Sequence, residues 1–116
     1  MTEKLAISLY EETREDIKIS VTVQIDANGD FSIDGYDTGQ LVNGLKGRSD
    51  YEYHLKIKKP DKELLIKKLS ESIASLNDDH DFVDWVKTNY GHNEGFSEFV
   101  EFVSLMGINK EVFFWP

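Results

Sequence analysis

Oxygen-bearing side chains crowd one stretch of the chain, Asp26-Ala27-Asn28-Gly29-Asp30-Phe31-Ser32-Ile33-Asp34-Gly35-Tyr36-Asp37. Asp26, Asn28, Asp30, Asp34 and Asp37 fall at positions 1, 3, 5, 9 and 12 of a calcium-loop template, with Ile33 at position 8. Calcium wants several hard oxygen ligands, and that loop also needs glycine at its sharp turn and a bidentate glutamate at its end. Phe31 and Asp37 stand there instead, and Ile17 to Ile25 alternates as a strand where the motif requires a helix. A hairpin turn at Asn28-Gly29 explains the same residues. No metal ligand is therefore assigned, and a calcium- or small-ligand-binding protein using Asp26, Asn28 and Asp30 is kept as an alternative.

The three histidines, His54, His80 and His92, are far apart, and none belongs to a metal-binding pair. No nucleophile elbow, phosphate-binding glycine-rich loop or dinucleotide fingerprint is present. No catalytic residue and no cofactor are assigned, and an enzyme built on His54 and the polar face of a sheet is the second alternative. The run Asp78-Asp79-His80-Asp81-Phe82-Val83-Asp84 concentrates carboxylates at the expected start of a helix, where they complement the dipole and supply a cap. Asp78, Asp79, Asp81 and Asp84 are also the residues best placed to meet a basic protein partner. Most of the aromatic residues have core spacing, but Trp85 and Phe102 lie off the main apolar stripes, and Phe113-Phe114-Trp115 places rings on both sides of its strand. Such surplus apolar surface is a partner-site candidate.

The elements that must position these groups change period halfway along the chain. Leu5, Ile7 and Leu9 alternate with Lys4, Ala6, Ser8 and Tyr10, and Ile17 to Ile25 alternates with Lys18, Ser20, Thr22 and Gln24. Both are half-buried strands with one polar face. Glu11 to Asp16 reads as a charged turn between them, Phe31-Ser32-Ile33 as a third strand and Tyr51 to Ile57 as a fourth. A short helical turn is expected around Gln40 to Leu45. Pro60 then stops the fourth strand, Asp61 can cap a helix, and Leu65, Leu69, Ile73 and Leu76 form a stripe over four turns. A second helix carries Phe82, Val83, Val86 and Tyr90 and ends at Gly91. A third carries Phe96, Phe99, Val100, Val103 and Met106 and ends with Ile108 folding back after Gly107. Val112 to Trp115 is a last strand. The pattern predicts a single α+β domain over 1–116: an antiparallel sheet of four to five strands, opening with a meander, and two to three helices on one face.

The chain has 116 residues, 40% of them hydrophobic, which suits one core. It has no cysteine, which excludes disulfides and thiolate metal sites and fits a reducing compartment. No apolar run approaches the length of a membrane span, so a cytoplasmic location and no membrane partner are expected. The net charge of −9 is uneven, with −6 on residues 1–40, +4 on 41–68 and −7 on 69–116. A field of that sign repels phosphate backbones, so nucleic acid is not an expected partner. A homodimer by sheet extension stays open, with Lys56, Lys58 and Lys59 as guards against it.

The Asp34-Gly35-Tyr36-Asp37 segment, the Ser49-Asp50-Tyr51-Glu52-Tyr53 strand start, the Gly95-Phe96-Ser97-Glu98-Phe99 helix start and the Phe113-Phe114-Trp115 ending resemble a group of small uncharacterised bacterial proteins. In size and charge the chain is also similar to immunity proteins of interbacterial toxin systems. That resemblance implies a non-enzymatic protein-binding module that blocks a toxin by occupying its active or substrate-binding surface, with a basic toxin domain as partner. It carries no catalytic residue over.

Overall fold

The structure, a computed structural model, describes residues 5–14, 17–39 and 50–115. Five antiparallel strands lie in chain order across one sheet: β1 (Leu5–Arg14), β2 (Ile17–Ile25), β3 (Phe31–Gly39), β4 (Asp50–Ile57) and β5 (Glu111–Trp115). Between β4 and β5 come three helices, α1 (Lys59–Ser70), α2 (Asp79–Tyr90) and α3 (Gly95–Leu105). This is the α+β architecture that the change of period predicts. The alternation works because successive side chains point to opposite faces. Ile19, Val21, Val23, Ile25, Phe31, Ile33, Leu55 and Ile57 all turn toward the helices and are buried. Leu65 and Leu69 of α1, Phe82, Val83 and Val86 of α2, and Phe96, Phe99 and Val103 of α3 close over them. Each such side chain removed from water contributes about 1.5–3 kcal/mol. The expected helical turn around Gln40 to Leu45 lies outside the described residues.

Several boundaries differ from the sequence expectation. β1 does not turn at Glu11 but continues to Arg14, with Glu11 opposite Ser20, Glu12 opposite Ile19 and Thr13 opposite Lys18. Ladder pairing thus overrides the weak strand preference of glutamate. A bulge between Ser8 and Tyr10 places both Leu9 and Tyr10 against Val21, so Tyr10 packs on the core and not on the polar face. Lys87 of α2 donates to the Ser8 carbonyl at 2.9 Å beside this bulge.

Asp61 is not a cap, because α1 already begins at Lys59 with Pro60 in its first turn, where no backbone N–H is needed. The apolar stripe also outlasts its helix. α1 ends at Ser70, the Leu69 carbonyl accepts from both Ser72 and Ile73, and irregular turns return Leu76 to the core. Lys56 sits on an interior strand, since β5 pairs with β4, so the lysines around it guard no edge. The end of α3 matches expectation. Gly107 at φ 71 lets Ile108 N–H reach the Val103 carbonyl and its own N–H reach Ser104, burying Ile108.

Candidate functional site

The carboxylate run at the start of α2 divides its labour. Asp78 is extended and caps the helix, its Oδ1 accepting the Asp81 N–H at 2.9 Å. Asp81 reaches back, its Oδ2 accepting the Asn77 N–H at 3.1 Å, so two otherwise orphaned donors are satisfied reciprocally. Asp79 points inward to Lys62 of α1, with Nζ 2.8 Å from Oδ1 and the Lys62 side chain only 1% exposed. Asp84, a turn further on, faces solvent. Two clefts flank this acidic ridge. One of about 460 Å³ is lined by Glu63, Lys67, Asn77, Asp78 and Asp79 among others, and one of about 250 Å³ by Asp81, Asp84, Trp85 and Asn89 among others. The four predicted carboxylates are thus brought together on one ridge, but only Asp84 leaves its side chain uncommitted to the fold.

Lys62 was not among the sequence candidates, although it stands three residues before Leu65 on the apolar stripe. A lysine at that spacing signals a buried charge that needs a partner. Trp85 and Phe102, expected as surplus surface, instead meet each other between α2 and α3 with ring centroids 5.5 Å apart. Stripes drawn on single helices miss a contact made between two of them.

The open face of the sheet gathers a second polar cluster. Register places Asp34 opposite His54, and His54 sits between two carboxylates, with Nδ1 2.7 Å from Asp34 and Nε2 3.2 Å from Glu52. Gln24 donates to the other Asp34 oxygen at 2.9 Å. Partial burial lowers the affinity of the imidazole for its proton, but the hydrogen bonds and charges of Asp34 and Glu52 outweigh it and raise the pKa above its ordinary value. Asp34 and Glu52 thus engage both ring nitrogens in hydrogen bonds within the fold. His80 and His92 lie in the helical layer, and His92 pairs with Glu98 at 2.7 Å. Neither cleft beside the ridge is lined by His54.

The calcium-template segment does not form an EF-hand loop. Asp26 Oδ1 accepts the N–H groups of Asn28 at 2.9 Å and Asp30 at 3.0 Å, and Asp30 Oδ1 accepts the Lys59 N–H at 2.9 Å. From Phe31 onward the segment is strand, which sends Asp34 to the open face and Asp37 to the helix face. These oxygens cannot converge on one ion. Among the described residues no group of three or more histidine or carboxylate side chains is arranged to hold a metal.

Exposed rings collect where β4 meets β5. Phe113 on the open face is 44% exposed and Phe114 on the helix face 54%. Beside Phe114, Tyr53 lies flat over Gly35, where any Cβ would overlap its ring, and its hydroxyl donates to Asp37 at 3.0 Å. Burial raises the Asp37 pKa, although the Tyr53 hydrogen bond works against it. Burial and the neighbouring Asp37 charge push the Tyr53 hydroxyl well above its ordinary value.

The chain matches no family model, and it has no significant match among curated proteins or solved structures. The geometry of its own residues therefore carries the functional argument. No described helix is long and apolar enough to cross a membrane.

Proposed function

We propose that this chain is a non-catalytic protein-binding module that meets a basic protein through the acidic ridge at the start of α2. Its most concrete form is an immunity protein that occludes the working surface of a toxin. The observation that carries this reading is the ridge between two clefts: carboxylates of Asp78, Asp81 and Asp84 stand beside recesses of about 460 and 250 Å³. The charge of −7 on residues 69–116 steers a basic partner toward this layer. Stability on its own does not require Asp84, since its side chain supports neither the cap nor the Lys62 pair.

The test begins with capture of partners on the tagged protein at low and moderate salt, with mass spectrometry of what co-elutes. Association of the recovered partner is then timed against Asp84→Lys, which leaves the cap and the buried pair intact. The on-rate at low salt should fall several-fold and its salt dependence flatten. Equal on-rates for both proteins at low salt would remove the ridge from the interface.

A further inference from the structure

The far end of the helix-facing side of the sheet holds a second cluster. Its carboxylate, Asp37, lies six residues along β3 from Phe31, on which the α2 side chain Phe82 packs with ring centroids 5.0 Å apart, so about 20 Å of strand separates Asp37 from that α2 contact, while Phe96 of α3 borders the cluster itself. Four rings form a closed circuit there. Tyr51 and Tyr53 are 5.9 Å apart, Tyr53 and Phe96 4.8 Å, Phe96 and Phe114 6.3 Å, and Phe114 and Tyr51 6.3 Å. Tyr51 and Phe114 lie near parallel, 17° apart, and are 36% and 54% exposed. Asp37 stands directly opposite Tyr51 across the β3–β4 ladder and completes the corner.

The carboxylate is under-compensated. Among the described residues its one hydrogen-bond donor is the Tyr53 hydroxyl, and no described cation pairs with it. A half-buried carboxylate with one neutral donor is costly to keep ionised, which agrees with the direction of its pKa. Tyr53 fixes the orientation of the carboxylate, so one oxygen is engaged and the group is preorganised.

We infer that the corner formed by Asp37, Tyr51, Tyr53 and Phe114 binds the guanidinium of an arginine side chain presented by a polypeptide. The plane of a guanidinium stacks on exposed rings while its edge donates to a carboxylate, a combination the compact ammonium of lysine cannot match. An arriving cation also offsets the desolvation that Asp37 already bears. The site is separate from the acidic ridge and does not depend on it.

The experiment titrates N-acetyl-arginine methylamide into the full chain labelled with ¹⁵N, with the citrulline analogue as a neutral control of the same shape. Arginine should give saturable millimolar shifts centred on Asp37, Tyr51, Tyr53 and Phe114, and citrulline should give none that saturate. Asp37→Asn should weaken arginine binding about tenfold, as removal of a charged hydrogen-bond partner does. Its thermal stability at neutral pH should not fall, which separates lost binding from lost fold. Phe114→Ala, at an exposed ring, should weaken binding by a smaller factor. Equal binding of citrulline, unchanged affinity in Asp37→Asn, or shifts that do not saturate would each overturn the assignment. The Asp84→Lys association test gives its own answer either way.

Discussion

Lys62 and Asp79 allow a sharp test, because the two halves of their ion pair are buried unequally. The Lys62 side chain is 1% exposed and that of Asp79 25%, with 2.8 Å between the charges. Asp79→Ala leaves an ammonium in the core whose only described partner is gone, and an uncompensated buried charge costs about 3–5 kcal/mol. About 0.3–1 kcal/mol of that loss is the helix-dipole contribution of an acid in the first turn. Lys62→Met removes the buried charge and keeps most of the volume, while Asp79 regains water through its exposed side. Its cost should be below about 1 kcal/mol. The double variant should resemble Lys62→Met apart from the lost dipole contribution, which gives a coupling energy of about 2–5 kcal/mol. Urea unfolding reads this directly. With an m-value of about 1.5 kcal/mol/M, the Asp79→Ala cost of about 3–5 kcal/mol should move the midpoint down by about 2–3 M. If Asp79→Ala costs less than about 1 kcal/mol, or Lys62→Met costs as much as Asp79→Ala, the pair is not the buried anchor described.

Two further outcomes follow from the sheet. His54 is a base whose pKa is raised in the folded state, so its contribution to stability is complete below the unfolded value near 6.5 and is lost as pH rises through the folded value. Thermal stability should therefore fall from about pH 6.5 upward in the wild type, and His54→Gln should flatten that slope; an unchanged slope would separate His54 from the pH response. Gly35→Ala would drive a methyl group into the Tyr53 ring, so Tyr53 must swing away from Asp37 at a cost of about 1–3 kcal/mol. Denaturant unfolding checks the cost, and a variant as stable as wild type would show that the ring does not rest on this glycine.

Much of the fold is legible in the sequence because it rests on period. Val21, Val23 and Ile25 alternate strictly, and so do Leu55 and Ile57, so a one-residue slip of either strand would turn them out of the core. The Gly107-Ile108 stop is equally local, because the glycine conformation and the apolar fold-back are both written into two adjacent residues. What the sequence does not show are features made between elements. The β1 bulge that turns Tyr10 inward depends on the ladder with β2. The Trp85–Phe102 contact depends on the crossing of two helices. The Tyr53 hydroxyl reaches Asp37 only because Gly35, two residues earlier on the neighbouring strand, leaves the floor open for the ring.

The same distinction decides how the acidic run should be tested. Read as sequence, Asp78, Asp79, Asp81 and Asp84 are one patch of interchangeable charge. In the fold, Asp78 and Asp81 hold the first turn of α2, at about 1 kcal/mol for a lost cap, and Asp79 neutralises a buried lysine. Reversing all four would weaken any partner's binding by unfolding the ridge that presents them, whether or not the partner touches it. A carboxylate can report on recognition only where the fold makes no claim on it, and in this run that is Asp84. An association effect confined to Asp84→Lys, with unchanged unfolding, therefore means contact, whereas an effect that appears only with Asp79 means loss of the anchor beneath it.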